Sequence, residues 1–211
     1  MTDAEFQELL SACSEIATAF PEGVVFIGGM AVYLHAVNTT GTEELAGFTE
    51  EASLYISLRP LSKHQMVKSG FEFDIYTERL ASLAVPYEAV LAYSQVFGEF
   101  RVSSLEHLLV LKLEAFRAQH DGAMRAEHAK DVLRIAVVAK HRPRGFRAGL
   151  VAPFFRGEYA DVLDAIRDGP YAPALARGDA VRSKELHGLL DWLADALKSG
   201  LANPTQRRKR R

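Results

Sequence analysis

The apolar pattern changes period at Ser103, and that change limits the chain to few architectures. Before it, short alternating or wholly apolar segments stand between helical ones. After it, apolar residues recur only at helical spacing, almost to the end. Strands confined to the first half predict an α+β or α/β fold: a small mixed sheet flanked by helices in the N-terminal half, followed by an all-helical C-terminal half.

Residues 3–19 read as a helix, with Phe6, Leu9, Leu10, Cys13, Ile16 and Ala17 on one face. Val24–Ile27 reads as a short buried strand that meets Gly28-Gly29, and a helix over 30–37 follows at once. "SLYISL" (53–58) and "FEFDIY" (71–76) alternate as half-buried strands, with a short helix expected between about Ser62 and Gly70. A mainly helical 78–95, broken at Pro86, precedes "VFGEFRV", a turn into a last strand. "SSLE" (103–106) reads as a capping box that starts a helix through Gln119, and a second helix is expected from about Glu127 to Lys140. Two or three more helices follow, the last over about 183–199. The expected domains are a core over 1–140, a helical region over 148–200 and a disordered basic tail over 201–211.

The 211 residues carry a formal charge of −2, unevenly placed. The tail "RRKRR" (207–211) holds five cations, and without them the chain sums to −7. A body that acidic does not hold nucleic acid by bulk charge, so RNA or DNA as a partner points to the basic stretch 140–147 and the tail. No apolar stretch is long enough to span a bilayer, and the acidic, periodic N-terminus does not read as a signal peptide. Cys13 stands alone, which excludes an intrachain disulfide and fits a reducing cytoplasm; its helical face makes it a small core residue. His35 and His107 have no Cys or His at zinc-ligand spacing and read as structural or exposed, and Trp192 reads as core packing.

Three charges fall where an apolar or neutral residue is expected. Lys112 lies in the middle of the stripe Leu105, Leu108, Leu109, Leu113 and Phe116. Asp131 lines up with Ile135 and Val138, while Lys130 and Arg134 point more nearly outward. The two inward charges admit two readings: a buried ion pair that orders helix packing, or the floor of a cleft that takes a charged ligand. Asp74, opposite the aromatic face of its strand, is either a solvated edge residue or a ligand for a hard cation.

Taken in order, "FIGGMAVYLHA" (26–36), "FTEEASLYISL" (48–58), "FEFDIY" (71–76), "VSSLEHLLVLKLEAFR" (102–117) and "AKDVLRI" (129–135) resemble the nucleotidyltransferase fold of the DNA polymerase beta superfamily. The chain is most similar to abortive-infection type nucleotidyltransferase toxins and their bacterial relatives, over about residues 20–140. The resemblance implies transfer of a nucleoside monophosphate from an NTP to an RNA, protein or small-molecule acceptor, with Mg²⁺ as the metal and a toxin–antitoxin or phage-defence setting. It implies that Gly28 and Gly29 bring backbone amides to the triphosphate. Lys112 then contacts the phosphates and Asp131 completes the site.

One stretch departs from the family. Where it has an Asp-x-Asp pair, this chain reads "TEEAS", with Glu51 and Ser53 at the two positions. Glu51 keeps a carboxylate on a longer arm, Ser53 offers a neutral hydroxyl, and Asp74 keeps the third carboxylate. Glu50 points to the opposite strand face; the preceding loop offers Glu43 or Glu44 as a substitute, which nothing in the sequence requires. The metal set implied is Glu51 and Asp74. The alternative function is a degenerate binding or regulatory module for a nucleotide, nucleic acid or partner protein. A third reading is a structural or oligomerisation protein in which Lys112–Asp131 is an ion pair alone.

Overall fold

The computed structural model describes residues 3–20, 24–42, 52–56, 65–77 and 83–202. The chain divides into two compact units, Met1–Leu108 and Leu109–Arg211, and the division falls inside a helix. The core expected over 1–140 therefore takes in the whole first unit and the start of the second.

The first unit is a mixed sheet with helices, and the fold as a whole is α+β. Helix α1 (Asp3–Ala19) buries Phe6, Leu9, Cys13, Ile16 and Ala17 of the predicted stripe, with Ala12 in addition, while Leu10 is half-buried. Strand β1 (Val24–Ile27) is buried at every position, as an apolar run with neighbours on both edges requires. Helix α2 (Gly28–Val37) follows with no intervening loop and rests against β1 and β2 (Ala52–Ile56). Two strands, β3 (Gln65–Lys68) and β4 (Phe71–Thr77), form a hairpin. Helix α3 (Tyr87–Ala92) starts after Pro86, and β5 (Gln95–Phe97) and β6 (Phe100–Val102) form a second hairpin. The sheet order is β3-β4-β2-β1-β6-β5, with β2/β4 and β1/β6 parallel and the other pairs antiparallel.

Three local expectations are corrected. Of the mainly helical 78–95, only Tyr87–Ala92 is helix among the described residues, and Gln95 already starts β5. The helix expected up to Gly70 is strand where it is described, over Gln65–Lys68. Ser69 and Gly70 carry φ of 53° and 82° and join Lys68 to its register partner Phe71. A two-residue turn with both φ positive matches the right-handed twist of an antiparallel pair, so the local turn outweighs the weak helical spacing before it. The capping box expected at Ser103 is shifted by one. Ser104 Oγ accepts from the His107 amide at 3.2 Å, while the Ser103 amide donates to the Phe26 carbonyl at 3.0 Å and extends the β1–β6 pairing. Ser103 belongs to the sheet and Ser104 to the helix.

The second unit is all helix in its described residues. It starts within α4 (Leu105–Ala118) and continues through α5 (Gly122–His141), α6 (Ala148–Val151), α7 (Glu158–Asp168), α8 (Tyr171–Leu175) and α9 (Ala180–Ala202). Helix α5 begins five residues earlier than the apolar pattern indicates, because the Asp121 carboxylate accepts from the Met124 amide at 2.9 Å and caps it. Helix α9 packs against α5, α6, α7 and α8, and buries Leu186, Leu190, Leu193 and Leu197 at spacings that stay on one face. Among the described residues, no helix is long and apolar enough to cross a membrane.

Candidate functional site

In the first unit, sheet register draws together residues far apart in sequence. Ile27, the last residue of β1, pairs with Ser53, and Ser53 pairs with Asp74. The α2 N-terminus, Ser53 and Asp74 thus meet across three neighbouring strands, with Gln65 of β3 next in the same row. Asp74 is half-buried. Glu51 and the loop carboxylates Glu43, Glu44 and Glu50 lie outside the described residues.

The amide end of α2 sits beside this row. Gly28 has φ of 76°, a left-handed backbone that a β-carbon disfavours, so a glycine is needed to turn from strand to helix without a loop. Gly29 has no such φ and is buried in the first turn. The residue before the helix is Ile27, whose side chain cannot cap the first amides, and the first turn holds no acid. The other end is well supplied. Asn38 Nδ2 donates to the Leu34 carbonyl and Thr42 Oγ1 to that of Ala36, each at 2.8 Å. Among the described residues the amide end of the helix thus has no side-chain cap from Ile27, while its carbonyl end is satisfied.

His35 anchors that helix. It is buried, and its Nε2 donates to the Ser103 carbonyl at 2.8 Å, tying α2 to the strand that flanks β1. His107 is also fully buried, edge-on to Tyr93 with ring centroids 5.8 Å apart. Both histidines are interior residues, which removes the exposed reading.

The second unit holds the other pair of expected residues. Lys112 Nζ lies 2.6 Å from Asp131 Oδ2, with both side chains nearly shut off from solvent at 6% and 7% exposure. Arg134 adds a bond at 2.9 Å from Nη1 to Asp131 Oδ1. The expectation that Arg134 points outward is corrected: one helical turn along α5, its guanidinium folds back onto the aspartate and is 14% exposed. Burial disfavours the Asp131 charge, but Lys112 and Arg134 outweigh it and hold the carboxyl below its usual range. One turn in the other direction stands His128. Burial and the Lys112 charge push its imidazole down to about 4, against the pull of Asp131 and Glu127.

This centre carries two fixed cations against one carboxylate, beside a histidine that is neutral at pH 7. Arg134 Nε is buried with no hydrogen-bond partner among the described residues, as is His128 Nδ1. Lys112 has three donors, and Asp131 engages Nζ through a single oxygen. Two cations against one carboxylate, with Arg134 Nε unpartnered among the described residues, leave a net positive charge that suits an anion. The same geometry serves as an interhelical ion pair between α4 and α5, so both readings of the two inward charges keep their footing. Sequence reasoning missed His128 and Arg134, although their spacing of three on either side of Asp131 puts all three on one helix face.

A second polar cluster ties α4 to α7. Tyr159 Oη donates to Glu114 Oε2 at 2.9 Å, and Arg117 donates to the same carboxylate through Nε at 3.1 Å and Nη2 at 2.7 Å. Arg117 first, then Tyr159, holds the Glu114 carboxyl below its usual range, while burial and the Glu114 bond push the Tyr159 phenol up to about 12.

The metal implied by the resemblance has a thin ligand set here. Ser53 is neutral, and Asp74 is the one carboxylate in the row where a hard cation takes several anionic oxygens. Among the described residues, no three His, Cys, Asp or Glu side chains gather as metal ligands. These residues by themselves do not make a Mg²⁺ site. Compared with family models, with curated proteins and with solved structures, the chain matches none.

Proposed function

We propose that the chain is a nucleotidyltransferase-like protein that takes an NTP and transfers its nucleoside monophosphate to an acceptor. The observation that supports this best is the row Ile27–Ser53–Asp74, which sets an uncapped helix N-terminus beside a carboxylate. On this reading Gly28 and Gly29 present backbone amides to phosphate. The resemblance gives Lys112 a phosphate contact with Asp131 orienting it, and gives Glu51 with Asp74 the Mg²⁺. The acceptor is an RNA, a protein or a small molecule, and a toxin–antitoxin or phage-defence role follows from the resemblance.

The test is transfer of label from an α-labelled NTP in Mg²⁺ to added RNA, to the protein itself or to small hydroxyl acceptors. Transfer that disappears in Asp74→Ala and in Lys112→Ala supports the reading. No transfer, together with no rise in melting temperature on adding NTP, overturns it.

Ser53 favours a second reading, a degenerate module that binds a nucleotide or a partner without turnover. Its mark is an NTP-dependent rise in melting temperature with no transfer, unchanged in Glu51→Ala. Metal-dependent transfer lost in Glu51→Ala counts against it.

A further inference from the structure

The stretch from Val132 to Gly157 contains six cations, Arg134, Lys140, Arg142, Arg144, Arg147 and Arg156, and no carboxylate. Arg134 lies on α5 against Asp131, and Arg156 stands before α7 near Glu114. The other four lie within eight residues at the end of α5 and in the connection to α6, in a chain whose formal charge is negative.

Packing holds this connection in shape. Arg142-Pro143-Arg144-Gly145 is a tight turn closed by the Gly145 amide on the Arg142 carbonyl at 2.9 Å, with proline at the position its fixed φ favours. On the α5 side, Lys140 Nζ stands 4.8 Å from the centroid of the Trp192 ring of α9. Trp192 is half-buried, so its expected packing role is joined by a cation contact at the surface. On the α6 side, Ala148 comes so close to Gly200 of α9 that any side chain at position 200 would collide with it. Lys140, Arg144 and Arg147 are exposed and Arg142 is half-buried.

We propose that this turn, with Lys140 and Trp192, binds the phosphodiester backbone of a nucleic-acid strand. Arginine forks match phosphate oxygens in shape and charge, and a turn braced at both ends loses little entropy on binding. An aromatic ring beside the basic stretch offers a stacking surface to an unpaired base. An anionic membrane is a poorer fit, because the stretch is a turn followed by a four-residue helix and has no amphipathic face to insert. The inference bears on the acceptor class of the proposed transferase, but binding is read with no nucleotide present, so the two succeed or fail separately.

The test is binding of labelled 20-mers of single-stranded RNA, single-stranded DNA and duplex DNA to the full chain across a salt series. Arg142→Glu/Arg144→Glu is expected to weaken single-strand binding about tenfold or more, and to lower the salt slope by roughly 1.4 for two lost phosphate contacts. Arg144→Glu alone, at an exposed position, gives a smaller loss with the melting temperature unchanged. A chain lacking residues 207–211 retains the effect of the double substitution. Affinity and salt slope unchanged in both variants overturn the proposal, as does binding that depends on 207–211 alone. Tighter binding of RNA than of DNA identifies the strand as RNA, and equal binding identifies recognition of the backbone alone.

Discussion

Lys112 on α4 and Asp131 on α5 meet at 2.6 Å, and Arg134 closes on the other oxygen of the same aspartate. Removing one partner from a buried pair strands the other charge. Asp131→Asn leaves Lys112 buried among leucines and is expected to cost about 3 kcal/mol, with Lys112→Met costing less because Arg134 still faces Asp131. Lys112→Met/Asp131→Asn should cost less than the sum of the two, a coupling that urea denaturation of the four proteins measures. Equal additive losses would show that the pair does not act as one unit.

The His128 imidazole titrates near 4 in the folded chain against an ordinary 6.5. The unfolded chain therefore takes up the proton first. Its contribution to stability is full above pH 6.5 and is lost as pH falls towards 4. His128→Gln should flatten the melting temperature across that window. Asp131 acts in a separate window: its lowered value makes its contribution fail only as pH falls through the acid range below 3.8. A wild-type profile that overlays that of His128→Gln between pH 4 and 6.5 would refute the assignment.

Gly28 turns β1 directly into α2 with φ of 76°. Gly28→Ala is expected to destabilise the chain by about 1–2 kcal/mol through backbone strain. Chemical denaturation reads the loss. A neutral substitution would mean that the turn relaxes to a right-handed backbone.

Tyr159 is fully buried and its hydroxyl is spent on Glu114. Tyr159→Phe keeps the ring and loses one bond to a charged acceptor, an expected cost of about 1.5–3 kcal/mol. In Tyr159→Phe/Glu114→Gln the total loss should be less than the sum of the two single losses, because the shared bond is lost once and what Glu114→Gln still removes is the more exposed ion pair with Arg117. Thermal melts of the three variants check this.

Cys13 is buried in α1, and burial raises its thiol to about 12. A thiol-reactive probe should leave it unlabelled in the native chain and label it in denaturant, at a rate set by unfolding. Prompt native labelling would contradict the packing of α1.

Much of this protein was legible in one dimension, wherever a segment's own period decided its burial. The stripes of α1 and α9, the apolar run of β1 and the change of period at Ser103 each show a segment meeting the core on one face or both. Lys112 and Asp131 were visible for the same reason, as charges on apolar stripes. Other features arise only from contacts between distant segments. The register that sets Ser53 beside Asp74 and Ile27 depends on strand pairing, not on spacing along the chain. β3 became a strand because its turn paired it with β4, and Ser103 joined the sheet because Phe26 offered it a carbonyl. Arg134 turned inward because a buried carboxylate awaited its charge, which outweighed the tendency of a long cation to seek water. Periodicity tells which face a residue lies on; tertiary structure alone decides which charge or hydrogen-bond partner it meets there.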